Sequence, residues 1–313
     1  MSNFIKLISK QYSKASIWGK ILVFTCLLVL LVVMFKGFKS GQPLAEAFTQ
    51  SDQFVVKTGA DIYDSFYANI YDYLVFNNVK DQYEITEIVN KTKPSSQSIV
   101  LDVGCGTGHH VAEMNSKGYK TVGVDISTDM ITKAKEFYPQ YDFMQGDIMN
   151  AVEFDPSSFT HILCLYFTLY YVENKRRFFE NCMNWLMPGG YLVVHLVDRH
   201  QFDPILPPGN PLYLVSPQRY AKDRITTTKV KFTDFSYSAD FKLDQDKNQA
   251  KFVEKFKNDK DGKVRKNEHT LYMEDMQEIV NMAKNAGFIL ESTVDLVQCQ
   301  YEYQYLYIFV KPN

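Results

Sequence analysis

The sequence predicts an α/β fold with a doubly wound, largely parallel sheet. Strand and helix patterns alternate from about residue 98 to residue 197. The first of those strands runs straight into glycines that open a helix, and a later stretch, about 219–271, switches to period-two alternation. With 313 residues, 46% hydrophobic and 22% charged, the chain can bury a sizeable core. Thirty-four Lys and Arg against 36 Asp and Glu give a net charge of -2, which excludes an acidic disordered chain and gives no support to a nucleic-acid binder working through overall positive charge. Cys26, Cys105, Cys164, Cys182 and Cys299 are far apart with no C-x-x-C pair, so they read as free thiols rather than a zinc site, an iron-sulfur cluster or a redox dithiol.

The N-terminus reads as separate from the globular part. Ile21 to Phe35 carries no charge, preceded by Lys6, Lys10, Lys14 and Lys20 and followed by Lys36 and Lys39. Fifteen helical residues rise only about 22 Å, but Ile17 to Phe38 reaches about 33 Å, enough for a hydrocarbon core of about 30 Å if Lys20 and Lys36 snorkel. The reading is a basic segment over 1–20, a transmembrane helix over 17–38 and a linker over 39–60, with a domain over 61–313. A cleaved signal peptide is disfavoured because Phe35 to Ser40 offers no A-x-A-like site; an interfacial or core helix is the bland alternative. The lysines before the segment favour a cytoplasmic N-terminus and a translocated C-terminal domain.

Within the domain, Ser98 to Val103 is a short apolar strand, His109 to Ser116 a helix that stops near Gly118, and Lys120 to Val124 the next strand. Ser127 caps a helix that places Met130, Ala134 and Phe137 on one face before Pro139. Strands follow at Tyr141 to Met144 and His161 to Tyr166. A helix over Asn174 to Leu186 ends in Met187-Pro188-Gly189-Gly190, a turn that feeds a strand over Tyr191 to Val197. Phe235, Tyr237, Ala239, Phe241 and Leu243 then alternate, as do Ala250, Phe252 and Phe256, and Asp261-Gly262 marks a hairpin. These are antiparallel strands, expected to cover the functional face. Glu274 to Ala286 is helical with Gly287 as its stop, and Phe288 to Val294 and Tyr301 to Val310 are the final strands.

The most informative segment is Val100-Leu101-Asp102-Val103-Gly104-Cys105-Gly106-Thr107-Gly108. A strand that enters glycines and then a helix brings bare backbone N–H groups close to a ligand, because side chains would block the approach. The glycines at 104, 106 and 108 do not match the G-x-G-x-x-G of dinucleotide folds, and the Gly-Lys-Ser/Thr ending of a phosphate-binding P-loop is missing. Val122-Gly123-Val124-Asp125 ends the second strand in an acid, and Gln145-Gly146-Asp147-Ile148 follows the third. Trp185 to Leu192 carries the Pro-Gly-Gly turn, and Ile62-Tyr63-Asp64-Ser65-Phe66-Tyr67-Ala68 stands upstream.

The D-x-G-x-G-x-G form resembles motif I of class I S-adenosylmethionine-dependent methyltransferases, and the resemblance extends over roughly Tyr63 to Pro312. It implies a Rossmann-like seven-stranded methyltransferase sheet with an antiparallel β insertion. It also implies S-adenosyl-L-methionine as cofactor, held by Asp102, Gly104, Cys105, Gly106 and Gly108. By the same resemblance Asp125 meets the ribose, Asp147 and Ile148 the adenine edge and ring, and Ile126 and Tyr67 are further cofactor-binding residues. Each acid considered alone would be an ordinary solvated loop carboxylate. The Tyr63-Asp64-x-x-Tyr67 segment is similar to the opening of small-molecule methyltransferases, including amino-sugar N-methyltransferases. Tyr63, Tyr67 and Tyr71 would share a helix face, capping the methyl donor or touching substrate, or simply packing in the core.

Methyl transfer asks mainly for positioning, plus a base or a path to water for a protonated acceptor. Candidates lie at the ends of the fourth and fifth strands: Tyr166 in Tyr166 to Tyr171, and His195, with Asp198 and His200 beyond it. Val193 and Val197 at period two make a buried structural role for His195 equally natural. Tyr63 joins Tyr166 and His195 as a catalytic candidate. His109-His110 at a helix start suggests a surface or cofactor-lip role, and no ligand cluster implies a metal. Neither the Asn/Asp-Pro-Pro-Tyr/Phe motif nor a Pro-Cys pair is present, so nucleic acid is not an expected partner. The 14 basic against 8 acidic residues between Arg219 and Lys266 suit either anionic lipid or solvated hairpin edges.

The expectation is a membrane-anchored methyltransferase acting on a small-molecule or lipid-like acceptor, with its partner membrane reached through the N-terminal helix. An inert methyltransferase-like binding module at a membrane, or a protein methyltransferase, are the other classes. Because the cofactor is made in the cytosol, its supply favours a cytosolic domain, against the lysine asymmetry.

Overall fold

The structure is a computed structural model that describes residues 16–39, 52–206, 218 and 221–313, with side chains of 29–39 left out. It divides into two units, Met1–Pro43 and Leu44–Asn313. In the first, α1 (Ile17–Lys39) contains the uncharged run. Ile17, Trp18, Leu22, Phe24 and Leu27 are exposed on it. Among the described residues no helix is long and apolar enough to cross a membrane. The transmembrane expectation over 17–38 therefore falls in part outside the described side chains. The basic positions Lys6, Lys10 and Lys14, the linker as far as residue 51 and Arg219 also lie outside the described residues.

The second unit opens with a correction. The final part of the expected linker is strand β1 (Phe54–Thr58), followed by a 3-10 turn, Gly59–Tyr63. Tyr63 does not share a helix with Tyr67 and Tyr71. Asp64 takes an extended conformation, caps helix α2 (Ser65–Val75) by accepting the Tyr67 N–H, and so ends one element and starts the next. Helix α3 (Asn78–Thr92) follows, with Asn77 accepting from the Val79 and Lys80 N–H groups.

The central sheet then builds in order: β2 (Ile99–Val103), α4 (His109–Ser116), β3 (Lys120–Asp125), α5 (Thr128–Phe137), β4 (Asp142–Gln145), β5 (Phe159–Cys164), α6 (Lys175–Trp185) and β6 (Leu186–Val197). Ser127 caps α5, accepting from Met130, as its sequence position predicts. The expected turn over Met187 to Gly190 is instead the start of β6. There Gly190 passes so close to the Met187 and Thr160 carbonyls that an added Cβ would lie 2.8 and 3.0 Å from them.

Four strands follow: β7 (Thr227–Lys231), β8 (Phe235–Asp244), β9 (Gln249–Asn258) and β10 (Val264–Tyr272). Helix α7 (Met276–Asn285), β11 (Ile289–Asp295) and β12 (Gln304–Val310) complete the chain. The seven-stranded sheet runs β11-β12-β6-β5-β2-β3-β4, with β12 antiparallel to both neighbours and the rest of the ladder parallel. Strand order reverses at β2, so the crevice outside the carboxyl ends of β2 and β5 is where such a sheet receives ligands.

Alternation along the strands sends Val100, Leu163, Val193 and Ile308 toward Ile85 and Ile88 of α3 and Met114 of α4. Leu101, Ile162, Leu192 and Phe309 point the other way, into the layer of Phe178, Trp185 and Ile279 on α6 and α7. Fully burying each such side chain contributes about 1.5–3 kcal/mol, which fixes the register of the whole sheet.

The second sheet runs β1-β10-β9-β8-β7, with β1 joining β10 in parallel and the others antiparallel. Its inner face packs Phe235, Tyr237 and Phe256 against Phe66, Tyr67 and Ile70 of α2. The insertion expectation thus holds for 227–272, with a strand from before the domain added to its edge.

Candidate active site

A cavity of about 1120 Å³ lies over the carboxyl ends of the central strands, lined from the glycine loop below and from α2 and the second sheet above. The glycine loop at its floor has φ of +69°, +53° and +88° at 104, 106 and 108; Gly104 and Gly106 line the cavity, and Gly108, expected at the cofactor, does not. A Cβ at Gly104 would meet Thr168 at 2.5 Å and one at Gly108 would meet Phe143 at 2.6 Å, whereas one at Gly106 would meet only Tyr71, in ordinary contact at 3.6 Å. The first and third permit tight packing of the loop; the middle one leaves backbone bare toward the cavity.

Asp125, at the end of β3, holds this loop. Its Oδ2 accepts the Gly106 N–H at 3.0 Å and its Oδ1 the Ser127 N–H at 2.9 Å. Burial pushes the carboxyl above its usual range while those N–H groups pull it down. A carboxylate has about four acceptor positions, so acceptor capacity remains toward the cavity. Asp102, at the end of β2, is also buried, and Oδ2 has no hydrogen-bond partner. Burial pushes its pKa to about 7 against the opposing pull of His110. Such an orphaned buried acid is costly unless a ligand supplies a donor or a cation.

The other expected cofactor residues, Cys105, Ile126, Asp147, Ile148 and Tyr67, line the same cavity. Ile126 is half exposed, and Asp147 accepts the Met149 N–H at 2.8 Å. Tyr63, Tyr67 and Tyr71 line the opposite wall, Tyr67 edge-on to both neighbours at 5.5 and 5.9 Å. Burial raises all three phenols well above their ordinary pKa, so they stay protonated.

Tyr166 lines the cavity with φ +51°. The left-handed backbone costs a bulky residue about 1 kcal/mol or more. Its ring lies 5.0 Å from the Lys80 ammonium. His195 is not brought to the cavity. It is fully buried, its Nδ1 meets the Tyr166 carbonyl and its Nε2 meets the Gln304 side-chain amide at 3.0 Å. Burial and the nearby Lys80 charge lower its pKa to about 4, so it is a neutral ring with both nitrogens engaged. That removes the capacity a base requires, and the period-two placement on β6 is the reason. Of the neighbours on that side, His200 lines the cavity, while Asp198 accepts from the His200 N–H and the Gln201 amide.

Several residues at the site were not singled out from sequence. Asp72 on α2 accepts from Thr107 Oγ1 at 2.7 Å and meets His109 Nε2 at 2.8 Å, tying α2 to the glycine loop. Asp81, Glu84 and His110 bring ligand atoms within 4.8 Å of one another. That cluster already holds cations: Lys80 Nζ is 2.7 Å from Glu84, and the acids push His110 up to about 9. On the roof, His269 lines the cavity and Glu254 lies buried behind it. The signal was present in the alternation: Glu254 stands between Phe252 and Phe256 at inward positions, and Arg265, Asn267 and His269 share period two with Leu271.

Residues 100–190 match the family described as "Methyltransferase domain". This segment resembles a methyltransferase domain. The chain is 32% identical over 142 residues to dTDP-4-amino-2,3,4,6-tetradeoxy-D-glucose N,N-dimethyltransferase of Saccharopolyspora spinosa, covering 43% of this chain and 56% of that protein. It spans about half the length, or less, of the curated relatives it matches. An S-adenosylmethionine-dependent methyltransferase from Clostridium acetobutylicum superposes with a TM-score of 0.61 at 17% identity, over 79% of this chain and 98% of that one. The sugar N-methyltransferase KedS8 from Streptoalloteichus does so at 0.53 and 18% identity, over 75% and 87%. The fold is that of S-adenosylmethionine-dependent methyltransferases.

The site fits S-adenosylmethionine as cofactor on two observations. Asp102 offers an unpartnered buried oxygen that suits a cationic amine, and Gly106 leaves open a cradle that any Cβ would narrow.

Proposed function

We propose that the chain is an S-adenosylmethionine-dependent methyltransferase of a small molecule, with an amine of the amino-sugar type as the favoured acceptor and a lipid-like amine or alcohol as the alternative. The observation that carries this reading is one cavity holding both the glycine loop with Asp125 and a roof of tyrosines under the second sheet. A concave pocket suits a small acceptor better than a flat protein surface does. The amine is favoured by the relative from Saccharopolyspora, whose name is that of an amino-sugar N,N-dimethyltransferase.

When bound, the cofactor supplies a methyl group already activated on a sulfonium. The chain's work is then to bind, orient and exclude water. Asp125 would accept the ribose hydroxyls with the acceptor capacity that Gly106 and Ser127 leave, Asp102 would accept the α-ammonium, and Asp147 would accept from the adenine amine, with Ile126 and Ile148 as apolar neighbours on the cavity wall. Tyr67 caps the donor's methyl side, and Tyr63 and Tyr166 face the acceptor. We further propose that α1 anchors the chain in a membrane, because its described apolar side chains are exposed, and that the catalytic unit lies in the cytosol, where its cofactor is made.

Calorimetric titration of the full chain in detergent micelles with S-adenosylmethionine and S-adenosylhomocysteine tests the core of this. Binding that is lost in Asp125→Ala supports it and justifies an acceptor screen beginning with dTDP-linked amino sugars. A folded wild type that binds neither compound leaves an inert methyltransferase-like module as the reading. Protease protection in sealed vesicles tests the membrane side.

A further inference from the structure

Three side chains from separate parts of the chain form one hydrogen-bonded line at the cavity roof. Tyr171, in the loop after β5, packs edge-on against Tyr63 with ring centroids 5.9 Å apart. The Tyr171 hydroxyl meets His269 Nδ1 at 2.9 Å, and His269 Nε2 meets Glu254 Oε2 at 2.8 Å. Tyr63, Tyr171 and His269 line the cavity; Glu254 is completely buried behind them.

The direction of the line follows from its inner end. Glu254 accepts from Tyr237 at 2.9 Å and Asn267 at 3.2 Å as well as from His269, and these partners hold its pKa below the ordinary value despite burial. It is therefore a carboxylate and can only accept. His269 must donate from Nε2, a neutral ring then accepts at Nδ1, and Tyr171 must donate to it. The Tyr171 oxygen, which lines the cavity, retains lone pairs for a donor there. The His269 ring faces Tyr63, Tyr67, Tyr171 and Phe252. Arg265, on the same face of the strand as His269, is committed to Asp64, Asn267 and the Ile62 carbonyl, and Lys266, on the other face, pairs with Glu268.

Burying a carboxylate and an imidazole in a sheet face costs stability that apolar side chains would not. Here the line opens on the cavity wall that the acceptor would occupy. We propose that Tyr171, His269 and Glu254 form a proton relay that takes a proton from the ammonium form of an amine acceptor, with His269 as its terminal base. This rests on the reading of the chain as a methyltransferase of amine-bearing small molecules.

In the step, the acceptor N–H bond breaks and its electron pair stays on nitrogen. The proton goes to the Tyr171 oxygen as the Tyr171 proton moves to His269 Nδ1. The imidazolium so formed is paired with the Glu254 carboxylate, and the phenol ends neutral. The freed nitrogen pair then forms the bond to the methyl carbon as the carbon–sulfur bond breaks toward sulfur. Glu254 is a positioning residue, fixing the His269 tautomer.

Two measurements decide it. Long-range nitrogen–proton correlation spectra of the histidine rings, on the full chain in micelles, read the tautomer without any acceptor. Protonation of His269 at Nε2, with an Nδ1 shift that moves in Tyr171→Phe, supports the relay, and a ring protonated only at Nδ1 overturns it. Steady-state kinetics with a dTDP-linked amino sugar as probe then compare wild type, Tyr171→Phe and His269→Gln. The expected result is a kcat about 10²-fold lower at pH 7. Cofactor affinity stays within about twofold, and the deficit closes about tenfold per pH unit as free amine accumulates. Profiles parallel to wild type overturn the relay. Tyr171→Phe removes one oxygen and leaves the Glu254 cluster intact, so it decides the matter even where His269→Gln does not fold. A wild type that binds no cofactor overturns the underlying reading and the relay with it.

Discussion

Asp125 and Gly106 are joined by a 3.0 Å hydrogen bond from the glycine N–H to the carboxylate at the end of β3. One acid thereby shapes the loop and still presents acceptor positions to the cavity. Asp125→Ala is expected to lose about 10²-fold or more in S-adenosylmethionine affinity, since hydrogen bonds to a charged group contribute about 1.5–3 kcal/mol each. Asp125→Asn should recover part of the folded stability, through the loop N–H groups, and little of the affinity. Calorimetry and thermal melts on the three proteins separate the two roles. Equal affinity in wild type and Asp125→Ala would remove Asp125 from the ribose site.

The glycines should divide in the same way. Gly108→Ala places a Cβ 2.6 Å from Phe143 and 3.1 Å from Ala134 at φ +88°. Backbone strain of about 1–2 kcal/mol adds to overpacking of about 1–3, so the loss of stability should reach about 3 kcal/mol. Gly106→Ala meets only Tyr71 at 3.6 Å, so its stability cost should stay near the backbone strain, about 1–2 kcal/mol, while cofactor affinity falls at least tenfold. Denaturant unfolding alongside ligand titration checks the contrast. A Gly106→Ala protein that binds as well as wild type would mean the cradle is not at that backbone.

Much of this arrangement is legible in the amino-acid sequence. His109 to Ser116 is a helix at both of its predicted ends, Ser127 is a cap, and the glycine loop sits where a strand meets a helix, because these features are local and each is set within a few residues. What escapes is what depends on distant partners. Phe54–Thr58 reads as linker because its strand character comes from pairing with Val264–Tyr272, two hundred residues away. His195 stays open between a base and a buried structural ring because only the folded sheet puts Gln304 on its far nitrogen. Asp64 stands in the middle of an apparently continuous tyrosine face, and its role as a helix cap is fixed by Arg265 from the second sheet. Glu254 and His269 obey the strand period but violate its apolar rule, the kind of local inconsistency that marks a functional position.

Stability should depend on pH through Asp102 and His110 in separate windows. Asp102, with its pKa raised to about 7, binds its proton more tightly folded than unfolded, so its effect lowers stability as pH rises from about 4 to about 7. His110, raised to about 9, contributes stability that is complete below about 6.5 and lost as pH rises through about 9. Asp102→Asn should flatten the first window and His110→Gln the second in urea midpoints measured from pH 4 to 10. Saturating cofactor should also blunt the first window, because a cation beside Asp102 favours its ionised form. An Asp102→Asn protein with the wild-type slope between pH 4 and 7 would contradict the assignment.

Arg265 ties the roof to the rest of the site. Its guanidinium donates to both Asp64 oxygens at 2.9 and 2.8 Å, to the Ile62 carbonyl at 2.8 Å and to Asn267 at 2.9 Å, and its side chain is nearly buried. Asp64 caps α2, the helix that carries Tyr67, Tyr71 and Asp72, so one side chain joins the second sheet to the helix that closes the cavity. Removing it leaves the Ile62 carbonyl without that donor, Asn267 Oδ1 without its partner and Asp64 with only the Tyr67 N–H and Lys57 at 3.4 Å, a loss below the about 3–5 kcal/mol of a fully buried pair because Asp64 is partly exposed. Lysine keeps the charge but cannot reproduce a planar set of donors aimed at three acceptors. Arg265→Lys should therefore lie closer to Arg265→Ala than to wild type in unfolding free energy. Tyrosine fluorescence quenching by acrylamide should rise in both variants as the wall of Tyr63, Tyr67 and Tyr71 loosens. If lysine restored most of the stability, the link would be a matter of charge alone, and the forked geometry between β10 and the cap of α2 would have no energetic consequence.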